Sequence, residues 1–139
     1  MNRSLLGPLP LILLLLSLLI AIGCGTSGQL KSVTVSPSAA DAKNFPNGQV
    51  AFSAMGVFGN SSMPQPLNNK DITWCVGTSA GACAGNINSG ATVTANGVGA
   101  CVPTFIGTAT ILAGKATPAM NPDGGAQMTV FGAAQLTCP

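Results

Sequence analysis

The sequence contains no histidine, no tyrosine and no glutamate, and only 6% of its residues are charged. Histidine is the commonest general base and metal ligand in proteins, so its absence excludes Ser-His and Cys-His catalytic pairs. The formal net charge is +2, from five scattered Lys and Arg residues against three Asp residues, which is too little positive charge for a nucleic-acid interface. The composition therefore argues against an enzyme and against a nucleic-acid-binding protein, and it implies no cofactor.

The only side-chain carboxylates are those of Asp41, Asp71 and Asp123. They could supply oxygen ligands to Ca²⁺ or form a glycosidase pair. However, they stand in separate turn-rich segments, and their spacing does not resemble an EF-hand loop. We interpret them as solvated turn residues, and we predict no metal site and no catalytic residue.

The N-terminal segment has the organisation of a secretory signal peptide. A short basic stretch ending at Arg3 precedes an apolar run from Leu11 to Ile22, which is short for a membrane-spanning helix. The sequence Ala-Ile-Gly-Cys ending at Cys24 resembles the lipobox of bacterial lipoproteins, in which the cysteine receives a diacylglyceryl group and the chain is cut before it. We therefore predict a lipoprotein signal peptide over residues 1–23, with an ordinary signal peptide or an uncleaved anchor as the alternatives.

The lipobox resemblance also implies where the mature chain lies. Lipidated Cys24 and a flexible, Gly- and Ser-containing tether would occupy residues 24–29, followed by one domain over residues 30–139. In lipoproteins an Asp after the cysteine is the usual signal for retention in the inner membrane, and this chain has Gly25. The expectation is an exported protein anchored to the bacterial cell envelope, at the outer membrane rather than the inner one, with the membrane as its first partner.

Four further cysteines, Cys75, Cys83, Cys101 and Cys138, remain for the mature domain. An even number in an exported chain indicates two disulfides, and no Cys-x-x-Cys spacing supports the alternative of a zinc site. We predict a local Cys75–Cys83 bridge that pins a Gly- and Ala-rich loop, and a Cys101–Cys138 bridge that ties down the last strand. The rival pairing joins Cys75 to Cys138 and Cys83 to Cys101, and it requires the third strand to lie beside the last.

The mature chain shows no helical period, and short runs of Val, Ile, Thr and Phe are cut by Gly, Pro and Asn. In one run Ile72, Trp74 and Val76 share a face, so we assign Trp74 to the core rather than to a sugar-stacking platform. Gly56 is expected to mark a bulge or bend. About seven short strands predict an antiparallel β-sandwich. The expected strands are 30–36, 48–58, 71–76, 91–95, 98–102, 107–113 and a last strand over 127–138 that is broken at Gly132.

Several of these runs together resemble bacterial immunoglobulin-like (Ig-like) domains of group 2. The segments are Val-Thr-Val-Ser-Pro at 33–37, Gly-Gln-Val-Ala-Phe-Ser-Ala at 48–54, Ile-Thr-Trp at 72–74, Asn-Gly-Val at 96–98 and Gly-Thr-Ala-Thr-Ile-Leu-Ala at 107–113. The resemblance runs from about residue 30 to residue 113. It implies an Ig-like sandwich that serves as a non-catalytic spacer or adhesive module and binds a protein or a glycan.

The expected function is therefore a lipid-anchored surface module for structural display or adhesion, with a small carbohydrate-binding module as the alternative. The segment from Gly59 to Lys70 is predicted to be a loop and is the best candidate contact surface, although a plain connecting loop is the simpler interpretation. The five phenylalanines are expected in the core rather than at a ligand. The residues of this possible contact loop are Met63, Pro64, Pro66 and Leu67.

Overall fold

The computed structural model describes residues 28–84, 90–120 and 124–139. The predicted signal peptide, Cys24, most of the tether and Asp123 lie outside these ranges. Within them the chain forms an all-β sandwich, which confirms the predicted fold class, with two short 3-10 turns at Ala42–Asn44 and Pro46–Gly48. The strands are β1 (Leu30–Ser36), β2 (Ala39–Asp41), β3 (Gln49–Ala51), β4 (Ser53–Phe58), β5 (Gln65–Pro66), β6 (Thr73–Gly77), β7 (Ala91–Val93), β8 (Val98–Cys101), β9 (Gly107–Met120) and β10 (Ala126–Cys138).

The strands form two layers around one main core. One layer is the four-stranded sheet β2-β10-β9-β6. The other consists of two three-stranded sheets, β1-β4-β5 and β3-β8-β7, which adjoin because β3 and β4 follow each other along the chain. The ladders are antiparallel except for β2 and β10, which pair in parallel. The first segment of the chain therefore contributes β1 to one layer and β2 to the other.

The strand predicted over residues 48–58 is divided in two at Phe52. The backbone N–H of Phe52 donates a hydrogen bond to the carbonyl of Gly97, 2.9 Å away, instead of joining a ladder. On either side of it, Val50 and Ala54 remain buried together with the Phe52 ring, so the predicted inward alternation is preserved. This division is one reason why the structure has more strands than the sequence predicted.

The last strand is continuous through Gly132, so the predicted break there is wrong. Gly132 pairs with Ala113 in the ladder between β9 and β10. A side chain at this position would place its Cβ 2.6 Å from the carbonyl oxygen of Val33 in β1. The glycine is needed because β1 crosses β10 closely at this point, and not because the strand ends.

The expected irregularity at Gly56 is also misplaced. Gly56 pairs regularly with Val33 and with Gln65. The register shift lies on the neighbouring strand, between Leu30 and Ser32, where Lys31 is the extra residue. At Gly56 itself, a Cβ would approach the side chains of Leu30 and Leu67 to within 2.7 Å, so the absence of a side chain makes room for these leucines.

The main core is apolar, and no polar or charged side chain of the described residues is buried. Phe52 is buried in it and Phe105 packs against it, whereas Phe45, also expected in the core, is 37% exposed between the two 3-10 turns. The core cluster comprises Val33, Val35, Ala42, Val50, Phe52, Ala54, Ile72, Trp74, Val76, Ala91, Ala109, Ile111, Ala113, Ala134, Leu136 and Cys138.

Candidate functional site

A groove of about 590 Å³ opens between the two layers at one end of the sandwich. We call this end the groove end, and the opposite end, where β10 reaches Cys138, the closed end. Along β10 the two ends are marked by Val130, which lines the groove, and by Cys138, eight residues later (138 − 130). This separation is roughly 27 Å for an extended strand. The groove is lined by Gly28, Gln29, Leu30, Phe58, Gln65, Pro66, Leu67, Asn68, Asp71, Ile72, Lys115, Thr129 and Val130.

The floor of the groove is apolar because core-facing side chains lie where their strands begin or end. Leu30 is the first residue of β1 and pairs with Phe58, the last residue of β4. Leu67 follows β5 and Ile72 precedes β6, while Val130 lies within β10. Ile72 is buried and the other four are partly exposed, since no side chain of the opposite layer covers them completely.

Lys115 and Thr129 lie in the groove because the ladder between β9 and β10 is irregular there. Along β9, Lys115 occupies the next position of the row formed by Ile111 and Ala113, which are fully buried. The register shifts between Met128 and Val130, so Thr129 is an extra residue on β10. This bulge changes which face of β10 each side chain occupies beyond it: Val130 lines the groove, whereas Met128 packs on the outer face of the sheet.

The predicted contact loop is divided by the structure. Pro66 and Leu67 line the groove, and Leu67 also packs against the core. Met63 is 73% exposed and Pro64 is exposed, but neither lines the groove. The segment predicted as a plain loop also contains β5, which pairs with β4. Sequence reasoning thus found two lining residues.

The sequence did not predict the other apolar lining residues or Lys115. The signal for these residues is weak. An apolar residue at the end of a strand's core-facing row has the same sequence pattern as an apolar residue in the middle of that row.

Trp74 lies in the core, with 8% of its surface exposed. Its indole Nε1 donates a hydrogen bond to Oδ1 of Asn69 at 3.0 Å. The ring packs against the Asn96–Gly97 turn, where Gly97 has a φ of 78° and a Cβ would lie 2.9 Å from the ring. Trp74 is therefore not available as a stacking platform for a sugar.

Both predicted disulfides are confirmed: Cys75 bonds to Cys83, and Cys101 bonds to Cys138. The rival nested pairing is excluded. Cys101 in β8 and Cys138 in β10 belong to different layers, so their bridge joins the two layers at the closed end. The described residues therefore use all four of their cysteines in disulfides.

The Cys75–Cys83 bridge holds a segment that we call the stapled loop, Thr78–Ala84, on the outer face of the β10-β9-β6 sheet. The Cys83 N–H donates to the carbonyl of Ala126, and the carbonyl of Gly81 accepts from Met128, both at 2.9 Å. Beneath the loop is a second apolar cluster in which Cys83, Leu112 and Met128 are buried. The stapled loop thus serves as a cover for apolar side chains that face away from the main core.

Asp41 and Asp71, the two carboxylates among the described residues, lie at different ends of the sandwich. Asp41 accepts hydrogen bonds from the Lys43 side chain at 3.0 Å and from the Lys43 N–H at 3.1 Å. Its pKa is lowered, chiefly by the side-chain hydrogen bond from Lys43, while desolvation acts in the opposite direction. Asp71 lines the groove at the other end of the molecule. In residues 28–84, 90–120 and 124–139 there is no group of three or more His, Cys, Asp or Glu side chains that could hold a metal ion.

In the part of the chain that the structure describes, no helix has the length and hydrophobicity needed to cross a membrane. The sequence matches no protein-family model, and a search of curated proteins also finds no match.

Proposed function

We propose that this chain is a lipid-anchored, non-catalytic module of the bacterial cell envelope that displays an Ig-like sandwich for adhesion or another protein interaction. The observation that carries the proposal is the pairing of the cysteines. The chain has five cysteines, and four of them bond to one another in the sandwich. Cys24 alone is left for a separate use, and it follows the apolar run at the position of a lipobox cysteine.

The position of the first strand supports the same proposal. β1 begins at Leu30, six residues after Cys24, and Gln29 is already held in place because its carbonyl accepts a hydrogen bond from Gly59 at 2.9 Å. A lipid on Cys24 would therefore hold the folded domain close to the membrane surface. Gly25, in the position where Asp favours inner-membrane retention, makes the outer membrane the proposed location.

The non-catalytic part of the proposal rests on the chemistry available in the chain. The sequence lacks histidine and glutamate, and Asp41 is engaged by Lys43 at the closed end while Asp71 lies at the groove end. A carbohydrate-binding module needs exposed aromatic rings that share a plane. Trp74 is buried, and Phe45 is the one large aromatic side chain of the described residues that is exposed. The aromatic side chains of the described residues therefore favour the protein-interaction role over a carbohydrate-binding one.

The anchor is tested by the intact mass of the protein extracted from the membranes of a bacterial host. We expect the mature chain to begin at Cys24 and to carry the mass of a diacylglyceryl group. Cys24→Ser should abolish the lipid and leave the precursor uncut, whereas the matched tether variant Ser27→Ala should be processed like the natural chain. A mature N-terminus elsewhere, or an unmodified Cys24, would contradict the proposal.

The interaction role is tested with the anchored protein on whole cells or vesicles. We expect it to retain a protein ligand, and we expect binding to be lost after the sandwich has been unfolded by urea under reducing conditions. Binding to a glycan array without any protein ligand would instead restore the carbohydrate-binding alternative.

A further inference from the structure

We propose that the groove holds one acyl chain of an anionic phospholipid, drawn from the membrane that carries the anchor, with the lipid phosphate beside Lys115. This inference rests on the lipid anchor proposed above and assigns a ligand to the groove that the display role does not require.

The groove lies at the end of the sandwich where the tether enters. Gly28 and Gln29 are among its lining residues, and Cys24 is only four residues before Gly28. An extended chain spans at most about 3.6 Å per residue, so the mouth of the groove lies within roughly 14 Å of the anchored cysteine. A lipid on Cys24 therefore brings this end, and not the closed end, next to the bilayer.

The floor of the groove fits a hydrocarbon chain. Leu30, Phe58, Leu67 and Val130 each keep part of their apolar surface exposed along one continuous cleft between the layers, and Ile72 lies beside them. The volume of about 590 Å³ is within the usual range of small-molecule sites, about 300–1,000 Å³. Covering these side chains with an acyl chain would remove their apolar surface from water.

The rim of the groove fits a negatively charged head group. Lys115 lines the groove, is exposed, and makes no ion pair with any carboxylate of the described residues. Lys31 follows the lining residue Leu30, and Lys70 precedes the lining residue Asp71. Asp71 is the one carboxylate among the described residues at this end; Asp123, between β9 and β10 in the sequence, is outside them. Lys115 is therefore the lysine that lines the groove, and with Lys31 and Lys70 this end carries three lysines to one described carboxylate, a balance that favours an anionic over a zwitterionic lipid.

The closed end does not combine these features. Its hollow has a volume of about 200 Å³ and is lined by Phe45, Cys101 and Pro139 among others. The lysine on that hollow, Lys43, is already paired with Asp41 at 3.0 Å. A small hollow with a neutralised cation offers neither the length nor the charge for a phospholipid.

The test uses the lipidated full-length protein, reconstituted into vesicles that contain a phospholipid with a photoactivatable group in its acyl chain. Equal amounts of photoactivatable phosphatidylglycerol or phosphatidylcholine are compared, and the labelled peptides are identified by mass spectrometry. We expect label on the peptides that contain Leu30, Phe58, Leu67 and Val130, with phosphatidylglycerol labelling them about fivefold more than phosphatidylcholine, the effect of roughly one lysine near an anionic lipid.

Lys115→Gln should remove most of that preference, and Lys43→Gln, which changes the same charge at the closed end, should leave it intact. Label confined to the tether and to the loop around Met63 would overturn the proposal. So would equal labelling by the two lipids, or an unlabelled groove, as expected if the acyl chains on Cys24 filled it. The mass of the N-terminus, measured on the same samples, reports the anchor separately, so a lipidated protein with an unlabelled groove contradicts this inference alone.

Discussion

The two ends of the sandwich are closed by different means. At the closed end, the Cys101–Cys138 disulfide links the layers, and the Phe105 ring occupies the space beside Gly90 and Gly107. At the groove end no disulfide links the layers. The core-facing side chains of the strands end there in half-buried apolar residues and in Lys115. The other bridge, Cys75–Cys83, lies outside the sandwich and holds only the stapled loop. A covalent link between layers thus accompanies a closed core, and its absence leaves space between the sheets.

The largest expected effect comes from removing the bridge of the closed end. The double variant Cys101→Ser, Cys138→Ser removes a bridge between residues that are 37 apart in the sequence. For the loop that this bridge closes, the chain-entropy relation gives a loss of about 3.9 kcal/mol in the free energy of unfolding. Cys75→Ser with Cys83→Ser opens a separation of only 8, for which the relation gives about 2.6 kcal/mol. Urea denaturation followed by Trp74 fluorescence measures both changes.

Each of these values is a large fraction of the stability of a small domain, which is about 5–15 kcal/mol. The control for each double variant is the natural protein under reducing conditions, which removes both bridges together. An equal or larger loss for the Cys75–Cys83 variant would show that the stapled loop, rather than the link between the layers, is the main covalent support.

A smaller effect should distinguish a fully buried leucine from a half-buried one. Leu136 is fully buried in the core, and its replacement by Ala should cost about 3 kcal/mol through lost burial and the cavity left behind. Leu67 is half-buried in the groove, where solvent can fill the space, so Leu67→Ala should cost only about 1 kcal/mol. The same denaturation experiment compares them, and equal losses would mean that the groove is closed in solution.

The smallest effect concerns the ion pair of the closed end. Because the Lys43 side chain lowers the folded-state pKa of Asp41 below its ordinary value of 3.8, this carboxylate contributes stability above that value and loses it as the pH falls through the lowered pKa. Titration of the Asp41 carboxyl by NMR should show the lowered pKa, and Lys43→Gln should raise it. An unchanged pKa in that variant would contradict the assigned cause, and Lys115→Gln is the matched control.

The sequence predicted the sandwich, the core position of Trp74 and both disulfides because strand alternation, turn residues and the number and positions of the cysteines can all be read from it. Alternation in β1 and β6 distinguishes the two faces of a strand, and an even number of cysteines in an exported chain implies pairing. The continuity of β10 was not predictable, because Gly132 has the same identity whether it breaks a strand or admits a neighbouring backbone. Only the approach of Val33 decides between these two roles.

The groove was even less accessible to sequence reasoning. Leu30, Phe58 and Val130 have the pattern of ordinary core residues, and what makes them lining residues is that the opposite layer stops short of them. The sequence predicted a strand that ends at residue 113, before Lys115, whereas β9 continues to Met120. The pairing of β9 with β10 stabilises the strand beyond the limit of its own apolar pattern.

The parallel pairing of β2 with β10 has a mechanical consequence. The described chain begins at the groove end, at Gly28, and finishes at the closed end, at Pro139, so a pull on these two points acts along the strands. In this geometry the hydrogen bonds that join Ala39–Asp41 to residues 135–137 bear load together in shear, instead of opening one after another. Beyond them, the bond between Cys138 and Cys101 passes part of the tension directly into β8 in the opposite layer. A domain held by its first residues and pulled from its last would therefore resist extension through its two layers at once.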